Sequence, residues 1–307
     1  MTATLFAIAL ASAALMGLAI QRGATCMVAA VDQAVNERRF GRALALGEAA
    51  LWVGGLIALA QLGGLLPTPP GQYAASGWTV LGGVLLGLGA WINRACVFGA
   101  VARIGSGQWA WLGTPIGFFI GCLVPVARPD VVGHPAPFAN AAPVALAFAA
   151  LALWRLVEAA RAPGVLSHLW HPHRATLLIA ITFVSTLLTV GLWAYTDALA
   201  AIARAMDARI GLRGAMVLAL LGGAIIGGWF AGKLRWEMPT PAAVLRCLAG
   251  GALMGVGGML VPGSNDGLIM VGLPLGQPHA WIAVLTMMLT IAAPIALARH
   301  VRRPAVA

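Results

Sequence analysis

Residues 2–20 of this chain carry no charged side chain, and eight further apolar runs follow at about 43–66, 78–92, 109–127, 139–158, 175–196, 214–232, 241–260 and 280–298. At about 1.5 Å rise per residue, a run of about 20 spans the roughly 30 Å hydrocarbon core of a bilayer. The run at 78–92 is short for a full crossing. Only 9% of the residues are charged, against about 25% in ordinary soluble domains. The pattern excludes a soluble enzyme class. It predicts a single all-α membrane domain over 1–307, with about nine transmembrane helices.

The stretch Thr2–Ile20 has no Lys/Arg-bearing start and is long enough to span, so it reads as a helix and not as a cleaved signal. The chain reads as a multi-pass protein of a bacterial-type inner membrane, in contact with membrane lipid. The formal net charge of +10 does not point to nucleic acid, because the basic residues form small groups between apolar runs. With the N-terminus outside and every run crossing, only Arg128, Arg204, Arg209 and Arg213 of the 19 Lys/Arg fall outside. This bias predicts an N-out, C-in topology.

Three turns share one frame. Leu15-Met16-Gly17 is followed nine positions later by Cys26, in Gln21-Arg22-Gly23-Ala24-Thr25-Cys26. Leu85-Leu86-Gly87 is followed at the same distance by Cys96, in Asn93-Arg94-Ala95-Cys96. Leu253-Met254-Gly255 leads to Ser264, in Gly263-Ser264-Asn265-Asp266. Apolar pieces near 24–35, 95–104 and 265–275 are too short to cross and read as re-entrant half-helices. Gly17 to Gly87 and Gly191 to Gly255 are comparable intervals. The second half therefore reads as an inverted copy of the first, with halves of about 1–138 and 175–307 and a connector at 139–174. Such pseudo-twofold inverted repeats place a site near the midplane, where broken helices meet. Glycine pairs spaced by four, such as Gly83/Gly87 and Gly251/Gly255, read as close helix packing.

Irregular backbone is tolerated in a membrane only where it is buried in protein or lines a wet cavity. A half-helix beginning there aims its free N–H groups at the turn. Thiols and hydroxyls are neutral donors that can hold an anion weakly enough to release it, and apolar walls favour a soft, poorly hydrated anion. Cys26, Cys96 and Ser264 are the candidate pathway donors. Gln21, Thr25, Asn93 and Asn265 stand nearby, and Arg22 and Arg94 are candidates for anion attraction at the inner mouth or for setting topology. Cys122 and Cys247 read as packing residues. Glu48 stands near the inner end of the second run, at a buried or an interfacial position. Asp32 and Asp266 follow turns and read as local caps or pairing groups, with shaping of the outer entrance as the alternative for Asp266. His168, His171 and His173 lie in the connector and read as a solvated loop. No nucleophilic triad, phosphate loop or zinc-ligand spacing occurs, so no cofactor or metal is expected.

At these turns the chain resembles the YeeE/YedE family, whose best-known members are thiosulfate transporters. The likeness rests on the Cys26 turn, on Gly89 through Cys96-Val97-Phe98-Gly99 to Gly107, and on Gly250 through Gly263-Ser264-Asn265-Asp266-Gly267. The resemblance implies inverted halves with short helices meeting from both faces, and cysteines at Cys26 and Cys96 that hydrogen-bond thiosulfate in passing. It also implies a small soluble sulfur-carrier protein as a possible partner. The family's third cysteine is replaced here by Ser264, which keeps a donor but loses the soft sulfur. The expected function is uptake of a small sulfur-containing anion without enzymatic chemistry. Two rivals stand beside it: a sulfur-transfer enzyme forming a persulfide on Cys26 or Cys96, and a non-transporting subunit of a membrane complex.

Overall fold

The computed structural model describes residues 3–23, 25–66, 71–126, 131–133, 138, 141–161, 172–204, 210–261 and 263–302. Ala24, Pro262, His168 and His171 lie outside them, as do Arg128, Arg209 and Arg303, and the side chains of His173 and Arg174 are likewise outside the description.

The first half contains α1 (Ala3–Gly23), α2 (Met27–Asp32, continued by a π-helical turn at Gln33–Glu37), α3 (Gly41–Leu62), α4 (Gly77–Asn93), α5 (Val97–Gly105) and α6 (Gly113–Cys122, entered through a 3-10 turn at Trp109–Leu112). Helix α7 (Ala142–Ala160) follows. The second half contains α8 (Pro172–Val190), α9 (Tyr195–Ala203), α10 (Ile210–Phe230), α11 (Pro241–Leu260), α12 (Ser264–Gly267, continued by a π-helical turn at Leu268–Gly272) and α13 (Pro278–Arg302). A two-stranded antiparallel ribbon, β1 (Gln72–Tyr73) with β2 (Val131–Gly133), lies outside the bundle helices.

Among the described residues seven helical runs are long and apolar enough to cross a membrane, or eight if α8 and α9 are one span bent by 41°. The fourth expected crossing, 109–127, corresponds to the shorter apolar segment Trp109–Cys122. The pieces expected as re-entrant half-helices are helical, but two of them continue the preceding span. One apolar run reaches from Ala3 to Glu37 and another from Gly77 to Gly105, interrupted just before Cys26 and Cys96. Composition marks where a helix breaks; the direction the chain takes afterwards depends on what it packs against.

Local chemistry explains several helix ends. Ser76 and Thr79 form a reciprocal capping box at the start of α4, with the Ser76 amide donating to Thr79 Oγ1 at 3.0 Å. Thr240 accepts from the Ala243 amide at 3.3 Å, and Pro241 follows it, so α11 opens with both a cap and a residue that needs no donor. Within α8, the hydroxyls of Thr182, Thr186 and Thr189 donate back to carbonyls one turn earlier, at 2.7–2.8 Å. This satisfies them without leaving the apolar helix. Ser12 of α1 and Ser185 of α8 join at 3.0 Å across the helix pair.

The core is made by helices that touch at glycine. At the crossing of α4 and α11, a Cβ on Gly89 would stand 2.6 Å from the Gly250 carbonyl, and one on Gly250 would stand 2.6 Å from the Gly89 carbonyl. Gly82 and Gly257 repeat that relation at 2.9 and 2.8 Å. These pairs are related by a constant displacement of 168 positions (82 to 250, 89 to 257). Gly251 and Gly255 face the backbone of α6, while Gly83 and Gly87 face α13. The expected close packing at these spacings is therefore present, and dispersion gained by near backbones holds the pairs together in an apolar medium. Gly191, expected to be the counterpart of Gly17, has another role. It ends α8 at φ +86° with nothing near it, whereas Gly17 abuts the backbone of α10. Spacing alone cannot separate a packing glycine from a helix-ending one. At the displacement of 168, Ser185 occupies the position related to Gly17.

Helix α7 has no buried residue and leans on α3 alone among the larger contacts. Arg155 clamps Glu48 of α3 with two bonds of 2.8 and 2.7 Å and also reaches Glu158 at 2.6 Å. Phe148 packs edge-on to Trp52 with ring centroids 5.6 Å apart.

Candidate functional site

Cys26 and Cys96 are the residues immediately before α2 and α5, each in extended backbone that lets the following helix start afresh. The two Sγ atoms come within 3.8 Å, and the Met27 amide at the start of α2 donates to Cys96 Sγ at 3.3 Å. Both thiols are free. The meeting depends on Gly99. A Cβ there would stand 2.5 Å from Cys26 Sγ, so only a bare backbone leaves the Cys26 thiol its place.

The two thiols differ in exposure. Cys26 lines a cavity of about 930 Å³. Cys96 is 1% exposed and lies behind it. Gln21 and Ser106 share the cavity wall with Cys26 and are joined at 3.3 Å. Five cations also line it: Arg42, Arg94, Arg103, Lys233 and Arg246, against one carboxylate, Asp32. Among the described residues none of the five is in an ion pair. Arg42, Arg94, Arg103 and Lys233 are exposed and Arg246 is half-buried, and like charge gathered around a concave wall raises the local concentration of anions. Asp32 is engaged locally by Asn36 Nδ2 at 2.8 Å.

The third turn lies in another place. Ser264–Gly267 rests against α5, α9 and α11. Gly263 and Ser264 both have positive φ, 96° and 41°. A non-glycine residue held there is strained by about 1–3 kcal/mol. Ser264 and Asn265 are each 1% exposed, yet Ser264 Oγ and both side-chain polar atoms of Asn265 lack a partner. Gln21 Oε1 and Thr25 Oγ1 are also buried without one. An orphaned buried polar atom costs about 1–3 kcal/mol, so each of these atoms calls for a water, an ion or a ligand as its partner.

Not every expected residue fits that description. Asn93 is fully buried and occupied: its Nδ2 donates to the Ala95 carbonyl at 2.8 Å and its Oδ1 accepts from Thr114 at 3.0 Å. It holds the turn before Cys96 in shape. Arg94 takes up left-handed backbone at φ 61° and lines the large cavity, whereas Arg22 does not line it. Asp266 accepts from the Thr196 amide at 2.9 Å and from the Thr196 hydroxyl, so it caps α9. Cys122 donates to the Gly255 carbonyl at 3.8 Å and Cys247 is fully buried, both in packing positions.

Sequence reasoning missed Arg42, Arg103, Lys233 and Arg246 as wall residues, having read them only as topology signals. It also missed Asp197, whose Oδ2 would lie 3.2 Å from a Cβ on Gly267. Asp197 lines a second cavity of about 140 Å³ with Gly263, Gln277 and His279. Its signal was available, since a carboxylate inside an apolar stretch is uncommon. Among the described residues no three of His, Cys, Asp and Glu come together in a way that could hold a metal ion.

The family model described as sulphur transport matches residues 22–293. The chain therefore belongs to the sulphur transport (YeeE/YedE) family, as a multi-pass membrane protein. No curated protein matches it.

Proposed function

From membership of a sulphur transport family, we propose that this protein carries a small sulfur-containing anion of the thiosulfate type across the bacterial inner membrane, inward, by way of Cys26 and Cys96. The single observation that carries the reading is the thiol pair, 3.8 Å apart, at the wall of a cavity bearing five unpaired cations. Long-range charge collects the anion. Thiol S–H groups then hold it weakly, because a neutral, soft donor binds without trapping.

Ser264 and Asn265 extend the path to the other side. Ser264 Oγ, Asn265 Nδ2 and Thr25 Oγ1 supply donors in an otherwise apolar passage. Two halves of inverted orientation would bring these turns together at the midplane. The constant 168-residue displacement supports that architecture, since it relates Cys96 to Ser264 as well as the glycine crossings. The positive-inside bias supports an N-out, C-in orientation with the cationic cavity on the cytoplasmic side. There the site would be open to a small soluble sulfur carrier.

The test is uptake of labelled thiosulfate into liposomes containing only this protein. Flux that disappears in the Cys26→Ala, Cys96→Ala double variant supports a thiol-lined conduit. A covalent sulfur adduct on either cysteine without flux would favour sulfur transfer instead. No flux and no adduct would favour a subunit that works only within a larger complex.

A further inference from the structure

We propose that Arg94, Arg103 and Arg246, arranged around Trp111, form a binding station for a tetrahedral oxyanion of charge −2, ahead of the thiol pair. The inference rests on the anion-conduit reading and adds the residues that bind the ion before it reaches the thiols.

These three arginines are shared by two adjoining cavities, the one of about 930 Å³ that reaches Cys26 and another of about 240 Å³. They come from three different elements. Arg94 stands at the left-handed end of α4, Arg103 in the last turn of α5 and Arg246 in α11. Two of them use one ring. The Arg103 guanidinium carbon lies 4.5 Å from the Trp111 ring centroid and that of Arg246 lies 5.5 Å from it. The two cations therefore cannot be farther apart than the sum of those distances. An aromatic face attracts each cation, but nothing in that attraction offsets the repulsion between them.

Asp32 lines the larger cavity and Glu237 the smaller, a single carboxylate in each against these three guanidinium groups. Among the described residues none of the three is in an ion pair. Arg103 Nη1 donates to the neutral Gln108 Oε1 at 3.1 Å. Arg246 Nε is buried without an acceptor. A buried guanidinium donor with no acceptor is an unfinished hydrogen bond, and planar guanidinium forks match tetrahedral oxyanions in pairs of bonds. A dianion offers several oxygens and about twice the Coulomb attraction of a monoanion at the same distance. A residue serving only as a topology signal has no reason to share an indole with a second cation. A soluble sulfur oxyanion and the phosphate of a membrane lipid both carry an oxyanion group of this shape, so the experiment separates them.

Binding of labelled thiosulfate to the purified full-length protein in phosphatidylcholine nanodiscs gives the test. Wild-type protein is expected to bind thiosulfate at least tenfold more tightly than thiocyanate, a soft monoanion, and equal affinities would overturn the proposal without any variant. The Arg103→Gln, Arg246→Gln pair is expected to weaken thiosulfate binding at least tenfold while leaving a monodisperse protein. Unchanged binding in that variant overturns the station and leaves the thiol path standing. The Cys26→Ala, Cys96→Ala variant is read for uptake alone: uptake retained there overturns the thiol path without touching the station, so the two readings fail separately. Titrating glycerophosphoglycerol, the soluble phosphodiester headgroup without its acyl chains, separates the sources: unchanged thiosulfate affinity supports a soluble dianion, and competition assigns the station to lipid phosphate and overturns it.

Discussion

Cys96 Sγ lies 3.8 Å behind Cys26 Sγ, and only Cys26 faces the cationic cavity. An ion arriving through that cavity meets Cys26 first. The order of the two thiols is thus built into the breaks between α1 and α2 and between α4 and α5.

That order sets their accessibility. A small anionic methanethiosulfonate reagent should modify Cys26 faster than Cys96 and leave Cys122 and Cys247 unmodified. Thiosulfate should slow the reaction at Cys26. Peptide mass spectrometry after timed labelling reads all four sites, and faster labelling of Cys96 would contradict the arrangement.

Gly99 is the position most sensitive to a single methyl group. Gly99→Ala places a Cβ 2.5 Å from Cys26 Sγ. Overpacking of this kind costs about 1–3 kcal/mol. The expected result is a folded protein, modestly less heat-stable, whose thiosulfate uptake falls by an order of magnitude because the Cys26 thiol is displaced. Uptake at the wild-type rate would show that this thiol has room to move.

On the proposed path, replacing either thiol removes one donor to a charged ligand, a contribution of about 1.5–3 kcal/mol. Cys26→Ala or Cys96→Ala should therefore reduce the uptake rate at low thiosulfate by about ten- to a hundredfold. Cys26→Ser should fall less, since a hydroxyl keeps the donor. Initial-rate measurements in proteoliposomes decide between these values.

The Glu48–Arg155 pair fastens α7 to α3. Its side chains are 9% and 17% exposed, and Arg155 keeps Glu158 at 2.6 Å when Glu48 is removed. Glu48→Ala should destabilise the protein by about 1.5–3 kcal/mol, while the double exchange Glu48→Leu, Arg155→Met should recover part of the loss. Thermal unfolding in detergent provides the comparison. Equal stability of the single and double variants would remove the clamp from the account.

Asp266 closes the start of α9. Asp266→Ala deprives the Thr196 amide of its acceptor, a loss of about 1–3 kcal/mol, whereas Asp266→Asn keeps one carbonyl oxygen and should lose less. A melting temperature that falls in the order wild type, Asn, Ala is expected.

Much of the fold was legible beforehand because membrane insertion is written in composition. Runs without charge over about 20 residues have few other solutions. The breaks at Cys26, Cys96 and Ser264 were legible for a related reason, since a polar turn inside an apolar sequence needs a cavity or protein around it. Asn93 and Arg103 show the limit. Both are polar residues near a turn, and nothing in the sequence distinguishes the one consumed by Thr114 and Ala95 from the one that faces a cavity.

By itself, the sequence determined that the chain lies in a membrane, where its helices break and which breaks carry a thiol. Hydropathy and turn chemistry are local, and neighbours along the chain suffice for them. Tertiary structure alone decided that Cys26 and Cys96, seventy residues apart, share one site. It also decided that Gly99 clears the space and that Arg94, Arg103 and Arg246 gather at one rim. Those relations come from helices crossing at glycine. Contact between distant segments depends on the packing of the whole bundle, which no local pattern encodes.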